Sequence, residues 1–194
     1  MTSVFKKGCR IRHRDTAASL PLAIFRAALC LASIMAAAAC STARPVVVQS
    51  ATTTFFVVRH AEKGTDDNKD PSLSDIGLLR AERLAARLVD APLVAAYATG
   101  YRRTQQTAGP AAKGHGIVVT VYDAQLPATV LVSQLRKAHT HGTILVVGHS
   151  NTVPEIAAAL SGTVVPAMAD DEFDRLYRID IKADGTATLL QDRY

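Results

Sequence analysis

The chain has 194 residues and a formal charge of +5 at pH 7, from 22 Lys and Arg against 17 Asp and Glu. Residues 1–39 hold six of the basic residues and one of the acidic ones, which leaves 16 of each in the rest. A chain that is neutral once this segment is removed lacks the excess of basic residues that a nucleic-acid-binding protein uses. We therefore expect no nucleic-acid partner.

The first 39 residues have the pattern of a signal peptide. A basic stretch precedes a continuous apolar run of 13 residues, Ala27–Ala39. This run is too short to span a hydrocarbon core of about 30 Å but has the length of a signal-peptide core. We therefore expect a signal peptide over 1–39, a tether over 40–52 and a single folded domain over 53–194.

The end of the leader resembles the lipobox of bacterial lipoproteins, because small residues lead into Cys40. The resemblance implies that Cys40 is lipidated and anchors the protein in the membrane. Ser41 rather than Asp after the cysteine favours the periplasmic face of the outer membrane. Ala37 stands where a lipobox usually has leucine, so a soluble periplasmic form and an uncleaved anchor remain alternatives.

Cysteine chemistry is not expected in the mature domain. Cys9 and Cys30 leave with the leader, and Cys40 is the lipidation candidate. The domain then has no cysteine for a disulfide, a thiolate nucleophile or a metal–thiolate site. Its roughly 140 residues are enough for one compact domain held together by its own core.

Strands and helices alternate along the mature chain. Short apolar runs predict buried strands over about 53–59, 93–98, 117–121 and 143–148. The segments between them predict four helices, over about 75–89, from the turn at 99–103 to about 112, over 130–138 and over 154–160. Ser72–Asp75 supplies an N-cap signal for the first helix. Residues 174–181 and 186–191 predict a terminal hairpin. This order favours a three-layer α/β/α sandwich with a mostly parallel central sheet.

Three of these strands lead into residues suited to binding phosphate. The first ends in Arg59-His60, the second leads to Arg102-Arg103, and the fourth leads to His149. Because the carboxyl ends of parallel strands meet at one edge of a sheet, these side chains should converge there. Guanidinium groups suit phosphoryl oxygens, and a histidine ring can act as a nucleophile.

The same segments resemble the histidine phosphatase superfamily, which includes the cofactor-dependent phosphoglycerate mutases. Val58–Glu62, Arg103–Ala108 and Val147–Ser150 carry the resemblance, and Leu73–Gly77 also fits its pattern. The resemblance covers about 53–162 and implies a phosphoglycerate mutase-like fold. It implies neither a metal nor any other cofactor.

The resemblance also implies roles for the residues. His60 would attack phosphorus and form a phosphohistidine that water then hydrolyses. Arg59 and Arg103 would hold the phosphoryl oxygens, and His149 would donate a further hydrogen bond to them. Arg102 would then be a flanking residue, facing solvent or supporting the site.

The proton donor for the leaving group stays open between Asp123, after the third strand, and Glu62, two residues past His60. The expected activity is hydrolysis of a phosphomonoester or a phosphoramidate, on a small phosphorylated molecule or a phosphoprotein. The alternatives are phosphoryl transfer of the mutase kind, or a lipoprotein that binds a phosphorylated ligand without turnover. Specificity should come from loops around 64–72, 123–129 and 163–173.

The remaining histidines of the mature chain do not suggest a metal site. His139 and His141 fall in a loop between a helix and a strand, where we expect them on the solvated surface. His115 falls between two glycines and is predicted to be a turn residue.

Overall fold

The computed structural model describes residues 52–194; the expected leader, Cys40 and the tether as far as residue 51 lie outside this range. The strands are β1 (Thr53–Arg59), β2 (Leu93–Thr99), β3 (Val119–Tyr122), β4 (Gly142–Gly148), β5 (Arg175–Ile181) and β6 (Ala187–Arg193). The helices are α1 (Asp75–Arg87), α2 (Arg102–Gly114), α3 (Ala128–Ala138) and α4 (Thr152–Ser161). Within the described range, no helix is long and apolar enough to cross a membrane.

The strands form one sheet in the order β3-β2-β4-β1-β5-β6. Strands β3, β2, β4 and β1 are parallel to one another. Strand β5 is antiparallel to β1, and β6 is antiparallel to β5, so these two form the predicted hairpin. The predicted α/β fold with a mostly parallel sheet is therefore confirmed. Strands β1 and β4 are neighbours in the middle of the sheet, so residues that follow them lie side by side.

The two faces of the sheet bury alternate residues of β1. Phe55 and Val57 pack with apolar residues of α3 and α4, whereas Phe56 and Val58 pack with those of α1 and α2. All four side chains are buried. Alternation of this kind is what a strand covered on both faces requires, and it produces the three predicted layers.

The third strand begins two residues later than the sequence pattern predicts. Ile117 belongs to the end of α2, because its amide donates to the carbonyl of Ala112 at 3.0 Å. Gly116 has a φ of +67°, in the left-handed region that glycine adopts readily at a helix end. The apolar Ile117 thus closes the helix.

The apolar positions of α1 divide into a buried and an exposed set. Ala81, Leu84 and Leu88 are fully buried, but Leu78 and Leu79 are 46% and 61% exposed. The helical spacing of the Leu and Ala residues over 78–88 predicts that they pack in the core, and this prediction is wrong for these two leucines. A helix on the surface of a sheet turns only one stripe toward the core.

Candidate active site

The structure brings Arg59, His60, Arg103 and His149 together at the carboxyl edge of the sheet. Arg59 of β1 pairs in register with Gly148 of β4, and the His60 amide donates to the Gly148 carbonyl at 2.9 Å. The next residue on each strand is a histidine, and the two ring centroids lie 5.4 Å apart at an interplanar angle of 68°. The predicted convergence is observed.

The ring of His60 is held in one tautomer. Its Nδ1 lies 2.7 Å from the carbonyl oxygen of Ala61. Because a carbonyl oxygen can only accept, Nδ1 carries the proton and Nε2 of the neutral ring has a free lone pair. The side chain is 5% exposed, and burial, with further contributions from His149 and the two arginines, lowers the pKa of His60 to about 3. His60 is thus a neutral imidazole at ordinary pH, with the Nε2 lone pair free.

His149 has a different partner. Its Nε2 lies 3.0 Å from the hydroxyl oxygen of Thr99, the last residue of β2. The ring of Tyr101 meets the imidazole edge to face, with centroids 5.4 Å apart. Burial, followed by the charges of Arg103 and Arg59, lowers the pKa of His149 to about 4.

Arg59 is shared between the site and a neighbouring loop. Its Nη1 lies 3.0 Å from each of three backbone carbonyl oxygens, those of Ala169, Asp170 and Glu172. Its guanidinium carbon lies 4.1 Å from the centre of the Phe173 ring. Burial lowers the pKa of Arg59, although the nearby carboxylates oppose this shift. Arg59 therefore fixes the loop through one nitrogen.

The loop over 166–174 forms one wall of the site. The Phe173 ring lies 6.3 Å from the His60 ring as well as over Arg59. Glu172 pairs with Arg175 at the start of β5, which ties the loop to the sheet. The sequence placed a specificity loop over 163–173 but did not single out Phe173, because a loop phenylalanine has no periodic pattern to identify it.

Arg103 and Arg102 differ in environment, as the sequence predicts. The Arg103 side chain is 14% exposed and lies 4.3 Å from the centre of the Tyr101 ring. Its Nη1 is 3.5 Å from Asp70 Oδ1, which is a charge contact rather than a hydrogen bond. Arg102 is 50% exposed and pairs with Asp66 at 3.0 Å on the surface.

The two buried arginines retain donors that the described residues do not satisfy. Nε of Arg59 and both Nε and Nη1 of Arg103 are buried without a hydrogen-bond partner in residues 52–194. Buried polar groups of this kind are rare and call for an explanation. A phosphoryl group beside His60 would supply acceptor oxygens for guanidinium donors.

Glu62 is committed to another partner. Its carboxylate accepts three hydrogen bonds from the Arg80 guanidinium, at 2.6 to 3.0 Å. Burial would raise the pKa of Glu62, but the bonds to Arg80 outweigh burial and the net pKa is lowered. At neutral pH Glu62 has no proton to give, which argues against it as the donor.

Asp123 lies on the exposed rim of the site. Its Oδ1 accepts from the Gln125 amide at 2.9 Å. It lines a cleft of about 620 Å³ together with Tyr101 and Asp70. Since the Tyr101 ring contacts both His149 and Arg103, this cleft borders the cluster of two histidines and two arginines. Asp70 was not predicted as part of the site, because nothing in a polar loop marks which carboxylate will fold back over it.

Residues of the 103–108 motif hold the segment that carries His60. The Thr107 hydroxyl accepts from the Ala61 amide at 3.0 Å, and Gln106 Oε1 accepts from the Leu73 amide at 2.7 Å. Gly77 allows α1 to approach closely, because a Cβ there would lie 2.3 Å from the Glu62 carbonyl oxygen. These contacts give structural reasons for much of the sequence pattern.

The other histidines lie away from this edge. His139 Nε2 is 2.8 Å from the Tyr97 hydroxyl and is half-buried, so the expectation of a solvated residue is wrong there. Tyr97 reaches the loop from β2, a contact that the local sequence does not reveal. His141 is exposed as expected. Among residues 52–194, no cluster of three or more His, Cys, Asp or Glu side chains is arranged to hold a metal ion.

Comparisons with known proteins agree with this geometry. The sequence profile of the histidine phosphatase superfamily (branch 1) matches residues 55–126. No curated protein matches the sequence.

Solved structures share the fold at low sequence identity. The protein histidine phosphatase SixA complexed with tungstate is 17% identical, with a TM-score of 0.58, over 72% of this chain and 96% of that one. A mycobacterial glucosyl-3-phosphoglycerate phosphatase is 15% identical, with a TM-score of 0.57, over 74% and 98%. Phosphoglycerate mutase from Bacillus anthracis is 15% identical, with a TM-score of 0.58, over 74% and 93%. The profile match spans Arg59, His60 and Arg103, so this part of the chain is similar to the histidine phosphatase superfamily, and the solved structures share the fold of the whole domain.

Proposed function

We propose that this protein is a phosphatase that works through a covalent phosphohistidine on His60. The observation that carries the proposal is the state of that ring. Nδ1 is held by the Ala61 carbonyl, the ring is neutral above about pH 3, and Nε2 keeps its lone pair beside two buried arginines. A neutral, oriented imidazole flanked by unsatisfied cationic donors is suited to attack a phosphoryl group.

The reaction divides into two displacements. Nε2 of His60 forms a bond to phosphorus while the bond from phosphorus to the leaving group breaks, and the leaving group takes up a proton. Water then attacks the phosphohistidine, the phosphorus–nitrogen bond breaks, and inorganic phosphate leaves with neutral His60 restored. Arg59 Nε and the free donors of Arg103 stabilise the charge on the phosphoryl oxygens in both steps.

The proposed substrate is a phosphomonoester or a phosphoramidate on a small molecule or a protein. The Glu62 carboxylate is held by three hydrogen bonds from Arg80, whereas Asp123 lines the cleft beside the site, so Asp123 is the carboxyl group that we propose as donor for a poor leaving group. A phosphoramidate needs less help, because its nitrogen takes up a proton readily. Asp123→Asn should therefore slow phosphomonoester hydrolysis more than phosphoramidate hydrolysis. The fold shared with a protein histidine phosphatase supports testing a phosphoramidate first.

A short connection between α2 and β4 leaves little chain to cover the site and exclude water, which favours hydrolysis over transfer. Between α2 and β4 the chain forms only β3, α3 and their loops. The cleft next to Tyr101 opens at the surface, where Asp123 is exposed. Water therefore has access to the phosphohistidine.

The decisive comparison uses two histidine variants of the full chain. His60→Ala should abolish phosphate release from p-nitrophenyl phosphate and from a phosphoramidate, because the nucleophile is gone. His141→Ala, at an exposed histidine, should keep the wild-type rate. Phosphate release that survives in His60→Ala would refute the covalent route. Transfer between two hydroxyls without phosphate release would favour a mutase, and vanadate binding without any turnover would favour a binding protein.

We also propose that the protein is a lipoprotein, anchored through Cys40 at the periplasmic face of the outer membrane. The proposal rests on the apolar run Ala27–Ala39 and the small residues before the cysteine. Labelled fatty acid should be incorporated into the wild-type chain and not into Cys40→Ala. Equal incorporation, or none in either, would refute the anchor.

A further inference from the structure

Two buried threonines stand behind His149. Thr99 and Thr104 are both 0% exposed. The Thr99 hydroxyl oxygen lies 3.0 Å from His149 Nε2 and 2.9 Å from the Thr104 hydroxyl oxygen. The Thr104 hydroxyl in turn lies 2.9 Å from the carbonyl oxygen of Thr99 and 2.7 Å from that of Tyr101. The result is a chain of hydroxyl groups from the imidazole to the backbone.

The donors of this chain can point in one direction. If Thr104 donates to a carbonyl, its oxygen is free to accept from the Thr99 hydroxyl. Thr99 then accepts from His149, so Nε2 carries the proton. In this direction a neutral His149 has a bare Nδ1.

The chain can also point the other way. Thr104 can donate to Thr99 instead, and Thr99 can donate to His149 Nε2. The carbonyls that Thr104 releases keep other donors: Gln105 Nε2 lies 2.8 Å from the Thr99 carbonyl, and the Gln105 amide lies 3.1 Å from the Tyr101 carbonyl. Reversal therefore leaves no buried carbonyl unsatisfied and places the proton of neutral His149 on Nδ1.

A phosphoryl oxygen distinguishes these two states, because it accepts hydrogen bonds and repels a bare lone pair. Nε2 of His149 is occupied by Thr99, so Nδ1 is the ring nitrogen that remains for substrate. We propose that Thr99 and Thr104 are positioning residues whose hydroxyl chain reverses, so that His149 donates from Nδ1 to the phosphoryl group while its ring stays neutral. This proposal rests on the proposed phosphatase function.

The charges around His149 explain why a neutral donor is needed. The His60 ring faces it from the end of β1, and the Tyr101 ring meets it from the residue before α2. The charges of Arg103 and Arg59 oppose protonation, and together with burial they lower the pKa of His149 to about 4. At neutral pH the ring is therefore uncharged, and it can donate from Nδ1 only if Thr99 supplies a proton to Nε2.

Nitrogen-15 NMR of the histidine side chains tests the chain directly, since protonated and bare ring nitrogens have different chemical shifts. In the full-length protein at neutral pH, the proton of His149 should move from Nε2 to Nδ1 when vanadate is added. In Thr104→Val the Thr99 hydroxyl loses its other acceptor and should donate to Nε2. That variant should therefore show protonated Nδ1 even without vanadate.

Kinetics supply the second readout. Thr99→Val should lower kcat by about tenfold with little change in KM, as expected for one lost hydrogen bond. Thr99→Ser should restore most of the rate because it keeps the hydroxyl. Thr143→Val is the matched control and should not change kcat, because this buried threonine lies near the start of β4, at the end of the strand away from the site.

The outcomes separate this proposal from the proposed function. A Thr104→Val protein that keeps the proton on Nε2, or a Thr99→Ser protein as slow as Thr99→Val, would overturn the hydroxyl chain even if the enzyme is a phosphatase. Wild-type protein that binds vanadate but turns over no substrate would refute the phosphatase, while the NMR spectra would still report on the chain.

Discussion

The two histidines of the site are held by groups of different kinds. Nδ1 of His60 is hydrogen-bonded to the carbonyl oxygen of Ala61 at 2.7 Å. Nε2 of His149 is hydrogen-bonded to the hydroxyl of Thr99 at 3.0 Å. A carbonyl accepts only, so it fixes one tautomer; a hydroxyl accepts and donates, so it permits two. His60 thus has a partner whose hydrogen-bonding role cannot change, and His149 has one whose role can.

The largest effect is expected from removing Arg103, whose charge acts on both rings. Arg103→Ala should lower kcat/KM by about 10²- to 10³-fold, because it removes donors from the phosphoryl group. The charge of Arg103 lowers the pKa of both His60 and His149, so both pKa values should rise in the variant. Rate measurements and histidine NMR titrations check this.

Arg102→Ala is the control for that experiment. Its side chain is half exposed and its ion pair with Asp66 lies on the surface, so we expect little change in rate or stability. An equal loss of activity in Arg102→Ala and Arg103→Ala would contradict the assignment of Arg103 as the phosphate-binding arginine.

Gly77 packs against the segment that follows His60, so a substitution there should affect His60 more than His149. In Gly77→Ala the new Cβ would lie 2.3 Å from the Glu62 carbonyl oxygen, on the segment that follows His60. We expect the free energy of unfolding to fall by about 1–3 kcal/mol, as for other overpacked sites. The signals of His60 should shift while those of His149 change little.

Urea denaturation measures the effect, with Gly114→Ala as its control. Gly114 is the exposed last residue of α2, and a Cβ there would meet no atom within 4 Å beyond its chain neighbours and its own helix backbone. That substitution should raise the free energy of unfolding by up to about 1 kcal/mol. If Gly77→Ala were as stable as the wild type, the close approach of α1 to residue 62 would not constrain the site.

The last prediction concerns the pH dependence of stability. The pKa values of His60 and His149, about 3 and about 4, lie below the value of roughly 6.5 expected in the unfolded chain. As the pH falls below 6.5, the unfolded state takes up protons that the folded state does not, so stability is lost; above 6.5 it is fully present. Unfolding free energies at about pH 7 and about pH 5 should therefore differ, and less so in His60→Gln. An equal difference in that variant would show that His60 is not buried as a neutral ring.

Much of the site follows from the sequence because it depends on strand ends. Arg59 and His60 end the apolar run of β1, His149 follows β4, and parallel pairing then brings them to one edge. Residues that join the site only through side-chain contacts, from loops or from a strand end, were not predicted. Phe173, Asp70 and Thr99 belong to this class, since no periodic pattern marks a loop residue or a strand-end hydroxyl that contacts a ring.

If His60 is the nucleophile that we propose, its Nε2 becomes phosphorylated during turnover. Wild-type protein mixed with a phosphoramidate and quenched at alkaline pH, where phosphohistidine persists, can be digested and analysed by mass spectrometry and phosphorus-31 NMR. We expect one phosphoryl group, on Nε2 of His60 and not on Nδ1, that forms and decays during turnover. Phosphate on Nδ1, on another residue, or on none while inorganic phosphate is released would contradict it.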